Sequence, residues 1–354
     1  MINEPFLLLF IVELSKDILF IKSPQEALQD VIQQLKPDKV ALLVDENTAQ
    51  HCLPYFESEQ FLVIEIKSGE INKNLRTCEQ IWEALTKAGF SRKSLLVNVG
   101  GGVIGDMGGF AASTYKRGIR FVNYPTTLLA MVDANIGGKL GIDFMGLKNH
   151  IGLFNDPERI LIFTDFLKTL PPRELGSGYG EVIKHGLIYD KNYWDDTQNS
   201  QFPELDWQKV IQRSVEIKSE VVKEDPKENG LRKILNYGHT LGHAVETWYL
   251  NNQKSLLHGE AIATGMILEA HLSFQLDLLD RNDLDEITSY ISSIYEGIAI
   301  PPMENLMELM GQDKKNVGNE INFSLLEKIG KCVYDMKVDE KMIAAAINFY
   351  NTLK

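Results

Sequence analysis

Cysteine is scarce in this sequence: Cys52, Cys78 and Cys332 are odd in number, far apart, and form no C-x-x-C pair. A disulfide scaffold is thereby excluded, and the thiols fit a reducing compartment as packed or incidental groups. Positive charge is also short. With 36 Lys and Arg against 49 Asp and Glu, the formal charge is -13 at pH 7, so the basic face required by a nucleic acid or an anionic membrane is missing. Long apolar runs are lacking too. The N-terminal "FLLLFIV", Phe6 to Val12, is too short to span a bilayer and lacks the cationic start and small-residue cleavage site of a signal peptide, so it reads as a buried strand. No low-complexity tract or internal repeat is visible.

What is present is the composition of a soluble globular protein, 44% hydrophobic and 24% charged over 354 residues. That length exceeds what one hydrophobic core usually organises, which predicts two domains. An acidic total does not oppose a small anionic substrate, because a few Lys and Arg in a cleft suffice to hold a phosphate.

In the first half, "KVALLVDEN", "FLVIEI", "SLLVNVGGG" and "GIRFVNYP" read as strands alternating with helix-period stretches such as "NLRTCEQIWEALTKAG". This alternation predicts a parallel sheet with covering helices. After about Phe163 the β-branched runs thin out and the pattern turns helical. The reading is an α/β, Rossmann-like domain over residues 1–165 and an all-α domain over 166–354.

Gly100, Gly102 and Gly105 follow G-x-G-x-x-G spacing directly after a strand and at the opening of a helix. Backbone without side chains lets a pyrophosphate approach, and the helix N-terminus favours its charge. The motif sits on a late strand, unlike a standard Rossmann fingerprint, and a tight packing turn would use the same glycines. Two features favour the nucleotide. Asp45 ends an earlier strand, where its carboxylate can accept from ribose hydroxyls, and Thr126 and Thr127 stand at another strand-to-helix turn.

In "LNYGHTLGHAVE", Asn236, His239 and His243 have i, i+3, i+7 spacing and are expected on one helix face. An H-x3-H pair commonly begins a zinc site, although two histidines satisfied by local hydrogen bonds give the same pattern. His258, just before another helix, and Glu181 with Lys184, inside the apolar "GYGEVIKHG", are the groups able to complete a three-ligand site with an open position. His185, beside Lys184, points away around the helix, and with His51, His150 and His271 it reads as structural or surface. Basic residues near glycines or turns include Arg117, Lys139, Lys148, Lys218, Arg232, Lys314 and Lys315. Each alone is more often a solvated side chain. A multiply anionic substrate would need several to converge.

The blocks "GGGVIGDMGGFAASTYKRGIRFVNYPTTLLAMVDANIGGK", "GLKNHIGLF", "TLPPRELGSGYGEVIKHG", "LNYGHTLGHAVE" and "LHGEAIATGM" resemble the 3-dehydroquinate synthase family of the shikimate pathway. The resemblance runs from about Asp45 to Asn316. It implies an N-terminal α/β nucleotide domain, a C-terminal helical domain, NAD+, a divalent metal (zinc or cobalt), and a cytoplasmic homodimer. The implied reaction turns 3-deoxy-D-arabino-heptulosonate 7-phosphate into 3-dehydroquinate and phosphate. Position by position, it makes Glu181, His239 and His258 the metal ligands and assigns His243 and Glu228 to proton transfer at the substrate. Asp133, Lys139, Asn149, Lys184, Lys218, Arg232, Asn236 and Lys314 match substrate contacts, with Lys315 the alternative to Lys314. Arg117 matches an arginine that reaches the neighbouring subunit's site. Nucleotide positions are Asp45, Glu70, Lys73, Gly101, Gly102, Val103, Asp106, Thr126, Thr127, Lys148 and the turn Phe166, Leu167, Lys168 and Thr169.

The chain departs from the family at Leu140 and Asp143, where Thr and Asn are usual, and an aspartate beside an anion pocket is electrostatically awkward. A sibling cyclase acting on sedoheptulose 7-phosphate or glucose 6-phosphate is the nearest alternative. Lys218 and Arg232 count against it, because those substrates lack the carboxylate that such a pair binds. A metal-dependent polyol dehydrogenase is the alternative from another reaction class; a non-catalytic NAD-binding relative would have lost ligands that are all present here.

Overall fold

The computed structural model describes residues 10–15, 17–311 and 321–353. The chain divides into two compact units, Met1–Pro171 and Pro172–Lys354. The 3-10 segment Thr164–Thr169 falls in the first unit. Its Phe166 is buried, with its ring 5.1 Å from that of Phe163 and 5.6 Å from that of Tyr55, both edge-on.

The first unit runs β1 (Phe10–Ser15), β2 (Ile18–Ile21), α1 (Pro24–Leu35), β3 (Val40–Asp45), α2 (Glu46–His51), β4 (Leu62–Ile66), α3 (Leu75–Lys87), β5 (Leu95–Gly100), α4 (Gly102–Thr114), β6 (Arg120–Pro125), β7 (Lys139–Phe144), β8 (Leu147–Phe154) and β9 (Ile160–Ile162). The four strands read from the alternating pattern are β3 to β6. Of the "FLLLFIV" run, the structure describes only Phe10 onward, within β1.

Seven strands form one sheet in the order β1-β2-β9-β6-β5-β3-β4, parallel except for the β1–β2 pair. Leu42, Leu43, Leu96 and Val97 have no exposed surface, as strands covered on both faces require. From β3 the chain passes to β4 on one side, then returns to place β5 on the other. The order therefore reverses between β3 and β5, and the crevice beyond their carboxyl ends is where such sheets bind ligands. β7 and β8 form a separate hairpin laid on α4. Gly109 permits this packing, since a Cβ there would lie 2.5 Å from Leu140.

The second unit contains α5 (Pro172–Tyr189), α6 (Lys191–Asn199), α7 (Trp207–Glu224), the 3-10 segment Leu231–Asn236, α8 (His239–Asn251), α9 (His258–Gln275), α10 (Arg281–Ile294), α11 (Met303–Gly311), β10 (Asn322–Lys328), β11 (Lys331–Lys337) and α12 (Glu340–Asn351). The β10–β11 antiparallel hairpin amends the expectation of helices throughout. α9 is the buried axis of this unit, packed by α8, α5, α12 and α10. A Cβ on Gly265 would sit 1.9 Å from the Gly238 carbonyl oxygen ahead of α8, and one on Gly259 would sit 2.0 Å from that of Ser177 in α5. Backbone thus rests directly on backbone at both crossings, which sets α5, α8 and α9 in register. Among the described residues, no helix is long and apolar enough to cross a membrane.

Candidate active site

The stretch expected to be one helix through Asn236, His239 and His243 is broken. The 3-10 segment ends at Asn236, Gly238 turns left-handed with φ +79°, and α8 begins at His239. A Cβ on Gly238 would meet Met266 Cγ at 2.6 Å, so the break depends on glycine lying against α9. Asn236 therefore does not share α8 with the histidines; its Nδ2 instead donates to Glu228 Oε1 at 2.8 Å.

His239 and His243 do share a face of α8, with ring centroids 4.9 Å apart, and His258, the first residue of α9, stands 5.5 and 5.7 Å from them. Ligand atoms of the three imidazoles lie within 4.8 Å of one another. Glu181 enters from α5, wholly buried, and its Oε1 is 3.4 Å from Nε2 of both His239 and His258. Its other oxygen pairs with Lys184, one helical turn on and 1% exposed.

The opposite ring nitrogens are also engaged. His239 Nδ1 is 3.0 Å from the Tyr237 carbonyl, to which it can only donate, and this fixes the ring with Nε2 facing Glu181. His258 Nδ1 lies 3.4 Å from Glu246 Oε2. Burial disfavours the His258 imidazolium, but Glu246 and Glu181 outweigh it and push its pKa up to about 9. Two imidazole Nε2 atoms aimed at one carboxylate that Lys184 anchors, each ring held from behind, fit a zinc or cobalt ion. Glu246 escaped the sequence reading, although it lies three residues after His243 on the same helix, a spacing that could have revealed it.

Lys218 is buried on α7, and Arg232 is buried in the 3-10 segment packed against that helix. The loop between them folds around Asp225, whose carboxylate accepts from the backbone N–H groups of Asn229, Gly230 and Arg232 at 3.0, 2.7 and 3.1 Å. This wrap holds Glu228 at φ +61° and lets Arg232 donate to the Pro226 carbonyl at 2.8 Å. Lys314 and Lys315 lie outside the described residues.

In the first unit, the expected nucleotide positions collect beyond the carboxyl ends of the parallel strands. Asp45 closes β3, Gly101, Gly102 and Val103 follow β5, Thr126 and Thr127 follow β6, and Phe166, Leu167, Lys168 and Thr169 follow β9. No side chain caps α4 at Gly101, which leaves that end to a ligand's anion on chemical grounds. Gly105 serves packing, since a Cβ there would fall 1.9 Å from Asn135 Oδ1. Asp45 has a structural task as well: Oδ1 accepts from Asn47 and Thr48 N–H in a capping box. Phe166 and Leu167 are buried, so their backbone, not their side chains, is what the turn offers.

Glu70, Lys73, Asp106, Lys148 and Asn149 form a charged knot. Lys73 Nζ is 2.6 Å from both Asp106 Oδ2 and Asn149 Oδ1, and Lys148 Nζ is 3.5 Å from Glu70. Lys73 is buried, yet its neighbouring carboxylates, Asp106 first, overcome the cost of burial and raise its pKa above the ordinary lysine value. Asp143 faces this knot, accepting from Asn149 N–H at 2.7 Å. Burial first, with Glu70, raises its carboxyl above the usual range against the opposing Asn149 N–H and the two lysines. Asp133 lies in the π-helical turn Ala130–Ala134. Lys139 stands at the open end of the β7–β8 hairpin, paired with Phe154, away from Asn149 near its turn. Arg117, exposed with φ +68°, precedes β6, at the opposite end of that strand from Thr126.

The family model described as 3-dehydroquinate synthase N-terminal matches residues 63–177, and its C-terminal counterpart matches 178–316. A 3-dehydroquinate synthase of Parabacteroides distasonis is 42% identical over 346 residues, covering 94% of this chain and 97% of that protein. Among solved structures, 2-epi-5-epi-valiolone synthase of Streptomyces hygroscopicus, with NAD+ and Zn2+ bound, shares the fold at TM-score 0.86 and 24% identity over 97% of this chain and 99% of that one. A 2-deoxy-scyllo-inosose synthase complexed with carbaglucose-6-phosphate, NAD+ and Co2+ has TM-score 0.80 and 25% identity over 93% and 95%. Family models spanning both units, and a relative this similar along nearly its whole length, establish that the chain belongs to the 3-dehydroquinate synthase family.

Proposed function

We propose that this protein converts 3-deoxy-D-arabino-heptulosonate 7-phosphate to 3-dehydroquinate and phosphate with NAD+ and one zinc or cobalt ion, as a cytoplasmic homodimer in which Arg117 serves the partner's site. The observation that carries the reading is the convergence of Glu181, His239 and His258, with His243 beside them. When bound, the metal polarises a substrate hydroxyl and NAD+ accepts, then returns, a hydride, so net redox change is zero.

The chain supplies the remainder. Lys184 anchors Glu181 as its ion-pair partner, while Tyr237 and Glu246 keep the two ligand rings turned inward. His243 and Glu228 move protons at the substrate, and Asn236 restrains Glu228 through its amide. Lys218 and Arg232 take the carboxylate, while Lys139, Asn149 and Lys314 take the phosphate and hydroxyls with Asp133. Asp45, Glu70, Lys73, Gly101, Gly102, Val103, Asp106, Thr126, Thr127, Lys148 and the Phe166 to Thr169 turn receive the dinucleotide at the strand ends.

The test is turnover of purified protein with NAD+, Zn2+ and the heptulosonate phosphate, followed by release of phosphate and dehydroquinate. Sedoheptulose 7-phosphate and glucose 6-phosphate run in parallel. Phosphate release from one of those sugars alone, or steady accumulation of NADH, overturns the reading.

Two further outcomes follow from local electrostatics. Because the His258 pKa is raised to about 9, its contribution to apo-protein stability is complete below the unfolded value of about 6.5 and is lost as pH rises through 9. Metal binding must displace that proton, so affinity should climb by about tenfold per pH unit up to 9 and then level. Calorimetry in buffers of different ionisation enthalpy reads the released proton directly. Asp143→Asn keeps an acceptor for Asn149 N–H and removes a charge from beside Lys73 and Lys148. A unit charge at 4 Å is worth about 1 kcal/mol in water, so the KM for the phosphorylated substrate should fall up to about fivefold with kcat unchanged. Steady-state kinetics decides this, and a raised KM would show that Asp143 assists binding.

A further inference from the structure

Most of the described α-helices begin with a side-chain cap: Ser23, Asp45, Asn74, Asp190, Asp206, Asp280 and Asp339 each accept from first-turn N–H groups. The helix bearing two active-site histidines does not. Its N-cap is Gly238, which has no side chain to offer, in a buried position where water cannot substitute. Unpaired N–H groups in such a place cost as much as a lost hydrogen bond.

A residue from another helix fills the gap. Glu269, on α9 and without exposed surface, accepts from Gly238 N–H at 2.6 Å through Oε2 and from Leu241 N–H at 3.1 Å through Oε1. Its own helix is fixed beside it, with Tyr237 Oη donating to the Met266 carbonyl at 2.9 Å and Ser273 Oγ to the Glu269 carbonyl at 2.8 Å. The residues tied down, Tyr237, Gly238 and Leu241, bracket His239. Tyr237 is also the residue whose carbonyl fixes the His239 ring.

We propose that Glu269 is a positioning residue for the metal centre: a buried carboxylate that caps α8 in trans and thereby sets where His239 Nε2 meets Glu181 Oε1. The inference rests on the metal reading above. It separates the role of Glu269 from ordinary packing, because a carboxylate is costly to bury and is retained where two charge-assisted bonds repay it. Bidentate capping fixes both the height and the rotation of the first turn of α8, and the position of His239 follows from those two quantities.

The test uses the full-length protein stripped of metal and titrated with Co2+, reading the visible d–d absorption and the dissociation constant. Glu269→Gln keeps shape but turns one acceptor into a donor that faces an N–H group. Its Co2+ affinity should fall about tenfold or more, in the range found when groups supporting metal ligands are removed, with an altered d–d spectrum and unchanged far-ultraviolet circular dichroism. Glu269→Asp, which retains the charge at shorter reach, should fall between Gln and wild type, and decides the matter by the same titration if the Gln variant does not fold. Asp280→Ala, removing the cap of α10, controls for general loss of stability and should leave affinity and spectrum unchanged. Wild-type affinity and spectrum in the folded Glu269 variants overturn the proposal. Should His239→Ala bind Co2+ as wild type does, the metal reading itself fails, a result distinct from the first.

Discussion

His239→Ala is expected to lose both the bound metal and nearly all turnover, whereas His243→Ala keeps the metal and loses rate alone. The two rings share a helix face and stand only 4.9 Å apart, so proximity does not separate them; their partners do. His239 Nε2 lies 3.4 Å from the Glu181 oxygen that His258 Nε2 also approaches, and its Nδ1 is fixed by a backbone carbonyl. On the proposed reading, removing it deletes one ligand of three. His243 acts in proton transfer on this reading, a role typically worth about 10²- to 10⁴-fold in rate. Metal content by elemental analysis, measured beside kcat, checks the division of labour. Equal metal loss in both variants would assign both imidazoles to the ion.

Lys184→Ala is expected to be the most destabilising single change at the site. Lys184 is 1% exposed and its partner Glu181 is fully buried, so the variant leaves an uncompensated carboxylate in the interior. Breaking a buried pair from one side costs about 3–5 kcal/mol. For a unit of this size that lowers the Tm by roughly 6–20 °C. The loss should be largest with chelator present and partly recovered with Zn2+, because a cation bound to Glu181 neutralises the same charge that Lys184 did. Thermal denaturation with and without metal measures both effects. An equal loss in the two conditions would mean that Glu181 does not face the ion.

The strands of the first unit were legible because short β-branched runs bounded by glycine and helix-period stretches carry a local signal. β3, β4, β5 and β6 fall within the runs read as strands. The helical second half was legible for the same reason, but its β10–β11 hairpin was not. The break at Gly238 was also missed: "LRKILNYGHTLGHAVETW" has helical periodicity throughout, and only the close approach of α9 demands a left-handed glycine in its middle. The partners that hold Lys73 were not legible either: Asp106 and Asn149 lie 33 and 76 residues away along the chain. No spacing rule reports such distant partners.

By itself, the sequence determined which chemical groups are available. Two imidazoles one helical turn apart, a third before another helix, and a glutamate and lysine one turn apart in an apolar stretch are consequences of chain periodicity, which a reader can count. Tertiary structure decided which of those groups meet and what holds them. Glu181, His239 and His258 come from three helices whose register is set by backbone contacts at Gly259 and Gly265, and Glu246 and Glu269 gain their tasks only from that packing. The physical reason is the range of the interactions involved. Helical spacing is fixed by bonds within four residues, whereas a metal centre is fixed by steric contacts between segments far apart in the chain.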